Sequence, residues 1–338
     1  MTLLRGTLLR EGRYEIQNLL AQGGFGFIYL ALDRRCGEHV VLKELLPALA
    51  IDTQVQRRFV REGRAMYRLR SPHIARVEAT FREQGNDYIV IEYLSGGSLA
   101  DRLERERQLP LGEVARIAVA LCDGLTYLHQ RGIVHCDLNP SNILFDAQGR
   151  SKLIDLGIAH VPDTFVHRSW QTERDFGLGT ISYMAPEQLM GQRHDPRIDL
   201  YALAAICYDM VSGRHYLHFD MSGTPLAQAE NILRVQSTAP EPLASLPAEV
   251  NHVLLRALAK DPEARYPNVV AFRHALTQAL VPYLPSEEGI QLVASPTAAG
   301  GADEVGERGE WPRWVVVALL AVNASVILLL AWLMLGAL

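Results

Sequence analysis

The stretch "GIVHCDLNPSNILF", residues 132–145, sets His135, Asp137 and Asn142 close together, and "KLIDLG" follows with Asp155 at the end of an apolar run. Two carboxylates and an amide converging on one cleft offer oxygen ligands of the kind Mg2+ prefers. A carboxylate there can also orient a hydroxyl for attack. Lys43 lies in "VVLKEL" among apolar neighbours. Burying its charge unpaired is costly, so it needs an anion. Glu62, nineteen residues on, is the candidate partner, and an exposed lysine on an edge strand is the alternative. Ahead of it, "LAQGGFGFIYLA" puts Gly23, Gly24 and Gly26 at a turn between two strands. Missing side chains there let backbone N–H groups approach phosphate oxygens, although a plain tight hairpin carries the same signature. A phosphate cradle, a cation, metal ligands and a base together make phosphoryl transfer the chemistry to test.

These groups need elements to hold them. "YEIQNLLAQ", "FGFIYLALD", "EHVVLKELL" and "DYIVIEYL" alternate as strands, the last after a turn at Gly85 and Asn86, and one helix, "VQRRFVREGRAMYRLR", interrupts them. From about residue 98 the pattern turns helical. In "EVARIAVALCDGLTYLHQ" the apolar positions 114, 117, 118, 121, 125 and 128 share one face. The expected body is therefore α+β over residues 14–282, a small β-rich lobe (about 14–94) before a larger helical lobe (about 98–282), with a ligand cleft between them.

The formal charge is -5, and acids and bases are mixed along the chain with no basic stripe, so nucleic acid is set aside as a partner. Cys36, Cys122, Cys136 and Cys207 are scattered, which suggests a reducing, cytoplasmic setting and no disulfide framework. His215 and His218 lack a third metal ligand at suitable spacing. Arg5 and Arg10 break the apolar start, a poor secretory signal. At the other end, residues 314–338 hold no ionisable side chain in 25 positions, where about 20 apolar residues span a bilayer. A single transmembrane helix is expected, with Trp314 and Trp332 as interface anchors, Asn323 as its strongly polar interruption and no outer sensor domain after it. Residues 285–310, rich in Gly, Ala, Pro and acids, read as a flexible tether. Such a tether holds the body about 25–30 Å from the membrane.

In their order over residues 14–280, these motifs resemble those of the eukaryotic-like (Hanks-type) Ser/Thr protein kinases of bacteria. "LAQGGFGFI" is similar to the Gly-rich loop, "VVLK" to the strand with the phosphate-pairing Lys, "HCDLNPSN" to the catalytic loop and "DLG" to the metal-binding D-F-G; "APE" stands intact at Ala185 to Glu187. Asp199 matches the family's structural Asp, and Arg265 matches the Arg that pairs with the Glu of A-P-E, here Glu187. A literal D-F-G at Asp175 to Gly177 follows a polar run in place of a strand, which leaves Asp155 as the metal ligand.

The resemblance implies a two-lobed kinase fold binding ATP and Mg2+. In it Lys43, held by Glu62, pairs the α- and β-phosphates, Asn142 and Asp155 hold Mg2+, and Asp137 accepts the proton of a Ser or Thr hydroxyl. Leu20, Ile28 and Leu144 would wall the nucleotide pocket, Gly23, Gly24 and Gly26 cover its phosphates, Ile91 guard the adenine site, and the backbone of Glu92 to Leu94 receive the base.

Three residues depart from the pattern. Ala21 replaces a loop glycine. Cys136 replaces an Arg that meets activation-segment phosphate, so activity independent of Thr164, Ser169 and Thr172 is expected. Asn139 replaces a Lys near the transferred phosphate, which predicts a slower enzyme, since one such contact is worth about 3–4 kcal/mol; its amide can still donate to a phosphate oxygen or to Asp137. The expected function is a Ser/Thr protein kinase, as Thr180 in "GTISYMAPE" suggests. It would be single-pass in the bacterial inner membrane with its catalytic body cytoplasmic, Arg308 and Arg313 lending positive-inside support, and would self-associate for autophosphorylation. A pseudokinase scaffold is the alternative. A small-molecule phosphotransferase is disfavoured by "APE", Asp199 and Arg265.

Overall fold

The computed structural model describes residues 2–23, 26–155, 178–191, 195–217, 219, 231–232 and 234–284. Gly24, Leu156, Thr164, Ser169, Thr172, the D-F-G at 175–177, His218, the tether 285–310 and the apolar run 314–338 lie outside the described residues, as does the side chain of Thr180.

Six strands form one antiparallel sheet in the order β1-β2-β3-β4-β6-β5. They are β1 (Leu8–Leu9), β2 (Tyr14–Gln22), β3 (Gly26–Asp33), β4 (Glu38–Leu45), β5 (Val77–Glu83) and β6 (Asn86–Glu92). The period of two sorts side chains onto two faces. Phe27, Tyr29, Ala31, Val40, Leu42, Tyr88 and Val90 close one core. Lys43 stands opposite Ile28 and Ile89, and Val41 opposite Leu30 and Ile91, so these residues share the other face. The N-terminal residues join the lobe: Gly6 N donates to Ile16 O at 2.8 Å, and Leu3 N to the Tyr29 hydroxyl at 3.1 Å. Gly26 is required for close approach, because a Cβ there would lie 2.2 Å from the Glu44 carbonyl oxygen.

After a short α1 (Pro47–Ala50), helix α2 (Thr53–Tyr67) starts at Asp52, whose carboxylate accepts from Gln54 N and Val55 N. Its Phe59, Glu62, Gly63 and Met66 are buried. Gly63 lets it sit close on the sheet, since a Cβ would come within 2.8 Å of Thr80 and 2.9 Å of Ile89.

The helical lobe holds α3 (Leu99–Glu106), α4 (Leu111–His129), α5 (Leu178–Tyr183), α6 (Pro186–Leu189), α7 (Arg197–Ser212), α8 (Ala248–Ala257) and α9 (Val269–Leu280). Ser98 and Asp101 make a reciprocal capping box at the start of α3. Residues 198–211 of α7 are all buried, Asp199 and Asp209 included, and a helix buried all round belongs at the centre of its lobe. Arg273 on α9 pairs with Asp123 on α4 at 2.8 Å.

A two-stranded hairpin, β7 (Ile143–Phe145) with β8 (Ser151–Leu153), carries the residues around the catalytic loop. Backbone bonds tie it to its flanking segments: Gly96 N to Phe145 O at 2.8 Å, Phe145 N to Gly97 O at 2.9 Å and Ala75 N to Leu153 O at 2.8 Å. It is thereby fixed both to the chain leaving β6 and to the chain entering β5.

Candidate active site

The Lys43 ammonium donates to Asp155 Oδ1 at 2.6 Å, across 112 residues of sequence. Burial works against its charge, but the Asp155 carboxylate and then that of Glu62 outweigh this and hold its pKa above the usual lysine value. The expected pairing of Lys43 with Glu62 is not what the structure contains. Among the described residues Glu62 makes no ion pair, although it is buried at 7% exposure. Desolvation pushes its pKa to about 7, Lys43's charge opposing and Asp155's adding. The physical reason is competition. One ammonium faces two carboxylates, and the bond goes to Asp155.

Asp137 lies in a web of amides. Asn142 Nδ2 donates to its backbone oxygen at 2.7 Å and to Oδ2 at 2.9 Å, and Asn139 Nδ2 donates to the same backbone oxygen at 3.1 Å and to Oδ1 at 3.4 Å. Burial raises the Asp137 pKa; His135 and the Asn142 bond pull it down, and Asp155's negative charge adds to the rise. Asn139 is 6% exposed, and its Oδ1 accepts from Ser141 N at 2.9 Å, capping the 3-10 turn Pro140–Asn142. Its amide is thus committed to both the turn and Asp137.

The loop itself hangs from α7. Asp199 accepts from His135 N at 2.8 Å and Cys136 N at 2.9 Å, and His129 Nε2 lies 2.8 Å from it. Cys136 has φ of 62°, in the left-handed region that side chains seldom adopt. Gln188 holds the same peptide, donating to Cys136 O at 2.5 Å. Arg265 and Glu187 form a two-bonded pair at 2.5 and 2.8 Å, with Arg265 2% exposed. This pair anchors the "APE" segment beneath the loop.

Oxygen ligands for a hard cation are in place. Asn142 turns its Nδ2 to Asp137, and its Oδ1 is in no hydrogen bond among the described residues. Asp155 uses Oδ1 for Lys43 and keeps Oδ2. No three His, Cys, Asp or Glu side chains cluster among the described residues, so phosphate oxygens would have to complete the shell. The donor set fits Mg2+ brought in with a nucleotide.

Ile28, on the Lys43 face, is half-buried, while Leu20 on β2 is 44% exposed. Half-buried Leu144 on β7 bridges to Ser98. The strand ladder ends at Glu92, whose carboxylate takes Lys152 at 2.8 Å, and buried Leu94 follows beyond it. Space around Gly23 is open.

The sequence did not mark Tyr183 and Asp209. Their side chains bond to each other beside Asn139 in an open groove of about 560 Å3, also lined by Leu103, Ser141 and His215. Asp209 is the tenth residue after Asp199 in an apolar helix, and an acid on that face was the available signal.

Residues 14–278 match the protein kinase domain family. The serine/threonine-protein kinase Pkn1 of Myxococcus xanthus is 34% identical over 297 residues, covering 87% of this chain and 41% of that protein. Serine/threonine-protein kinase PknB of Mycobacterium tuberculosis is 32% identical over 271 residues, 79% of this chain and 42% of its own. The chain thus spans about two fifths of the length of the curated relatives it matches. The crystal structure of the M. tuberculosis PknI kinase domain aligns at a TM-score of 0.62 and 30% identity, over 82% of this chain and 99% of that one. Two lobes, the motif order and a family match across residues 14–278 lead to one assignment: the chain belongs to the protein kinase family, in company with bacterial serine/threonine-protein kinases.

Proposed function

We propose that this chain is an ATP-dependent Ser/Thr protein kinase, held at the cytoplasmic face of a bacterial membrane by residues 314–338. The observation that carries the reading is the meeting of Lys43 with Asp155 at 2.6 Å, next to an Asp137 oriented by Asn142 at 2.9 Å. Lys43 would turn from Asp155 to the α- and β-phosphates. Asn142 Oδ1 and the Asp155 carboxylate would hold Mg2+, which neutralises phosphate charge when bound. Leu20, Ile28 and Leu144 would enclose the base and ribose, the backbone of Glu92 to Leu94 receive adenine, and Gly23 and Gly26 shape the loop over the phosphates. Asp137 would accept the proton of an incoming Ser or Thr hydroxyl, a role its raised pKa suits. The groove beside Asn139 and Tyr183 would take the protein substrate.

Asn139 stands where a lysine would touch the transferred phosphate, and its amide is spent on Asp137 and Ser141. That supports a slow enzyme, and it also favours the second reading, a nucleotide-binding scaffold. The deciding experiment incubates labelled ATP and a protein acceptor with the full chain and with Asp137→Ala. Label transfer by the wild type alone supports the kinase, and equal signals support the scaffold. For the tether, removing residues 311–338 should spare a soluble peptide substrate and reduce phosphorylation of membrane-bound proteins and of a second copy.

A further inference from the structure

Helix α2 buries Phe59, Glu62, Gly63 and Met66, which leaves its opposite side in solvent. Arg57, Arg61, Arg64 and Arg68, spaced by four, three and four residues, fall on that opposite side and are all exposed. Residues 57–70 hold six arginines and one acid, which corrects the expectation of no basic stripe, and the helix lines four of the arginines along one face. At 1.5 Å per residue it runs about 16 Å. The only acid of α2 is Glu62, on the buried face, and among the described residues none of the four arginines has a carboxylate at ion-pair distance. Like charges four residues apart weaken a helix, so the stripe has no internal stabilising purpose. Ile51, ahead of the helix, is 83% exposed, and Tyr67, its last residue, whose ring carries the Arg70 guanidinium, is 47% exposed.

We propose that this face of α2 docks on anionic phospholipid headgroups. Four exposed guanidinium groups in a line form a flat contact suited to a sheet of charges, and nothing recessed selects a single phosphate. Isoleucine and tyrosine are residues that enter the headgroup layer. The occupant follows from the rest of the chain: 29 residues, 285–313, separate the described body from an apolar run of 25. A body so held meets the surface at high local concentration, where a modest gain per arginine suffices. The proposal rests on the membrane reading above.

The test places the full chain in nanodiscs of phosphatidylcholine, with and without phosphatidylglycerol, and maps arginine reactivity towards phenylglyoxal by mass spectrometry. Arg57, Arg61, Arg64 and Arg68 should lose reactivity about fivefold in the anionic discs, the factor expected for headgroup attraction at each site. Exposed Arg35 and Arg105 should not change, and high salt should restore the four. Unchanged reactivity of the stripe overturns the proposal. So does equal protection in neutral discs, which would assign the stripe to another occupant such as the acidic residues 303–310. Co-elution of the chain with neutral discs reads the tether separately: its absence removes both readings, and its presence without protection removes only the docking.

Discussion

Asp209→Asn should flatten the protein's stability against pH. Asp209 is 6% exposed, its Oδ2 accepts from the Tyr183 hydroxyl, and its Oδ1 has no partner among the described residues. Desolvation lifts its pKa from 3.8 to about 7, with the Tyr183 bond opposing. A carboxyl whose folded pKa exceeds its unfolded one binds more protons in the native state. Its contribution is therefore complete below the unfolded pKa and is lost as pH rises through the folded one. A gap of about three units corresponds to about 4 kcal/mol at about 1.36 kcal/mol per unit. The asparagine carries no charge to desolvate, but its Nδ2 would take the place of Oδ1 without an acceptor, at a cost of about 1–3 kcal/mol. The variant should thus be the less stable protein at about pH 4 and the more stable one at about pH 8, with curves that cross between. Glu62, also lifted to about 7, adds a similar slope to both proteins and cancels in the difference. Urea unfolding of the full chain in detergent, repeated across this pH range, reads the effect. Parallel curves for the two proteins would refute the reasoning.

Glu187→Ala leaves the Arg265 guanidinium buried without its partner and should cost about 3–5 kcal/mol in the denaturant midpoint, partly recovered when Arg265→Leu is added. Gly26→Ala drives a Cβ against the Glu44 carbonyl at 2.2 Å; it should destabilise by about 1–3 kcal/mol and weaken ATP binding measured by calorimetry. Asn139→Ala should lose both the turn cap, about 1 kcal/mol, and the bond to Asp137. Asn139→Ser keeps a capping oxygen and loses the donor, so unfolding should be near wild type while kcat falls about tenfold, the rate equivalent of 1.4 kcal/mol.

Strands β2, β3, β4 and β6 were legible as apolar-rich runs bounded by turn residues, and Lys43 stood out in "VVLKEL" by its apolar neighbours, whereas the face it shares with Ile28 and Ile89 came from the register. Strand β1, two residues long, is too short to show any period, and in β5 Ala79 and Thr80 blur the alternation. The lysine's partner was not legible. Glu62 shares its lobe, but the choice of Asp155 depends on how a residue 112 positions away is presented. Asn139 was read from its type as a lost phosphate contact whose amide can still donate to Asp137, whereas its second place as cap of the Pro140–Asn142 turn needed the loop's geometry. Tyr183 and Asp209, 26 residues apart, and Gln188 with the Cys136 carbonyl, 52 apart, meet only through packing on α7.

The Lys43–Asp155 bridge also sets an order of events. While the lysine sits on that carboxylate, the cleft carries its own counter-ion, and a free divalent ion finds a neutralised anchor in place of an open negative charge. In the proposed kinase, a polyphosphate would offer the ammonium a richer anion and would free the carboxylate. Magnesium uptake would then be conditional on the nucleotide, and the resting protein would stay blind to free metal and respond to the complex.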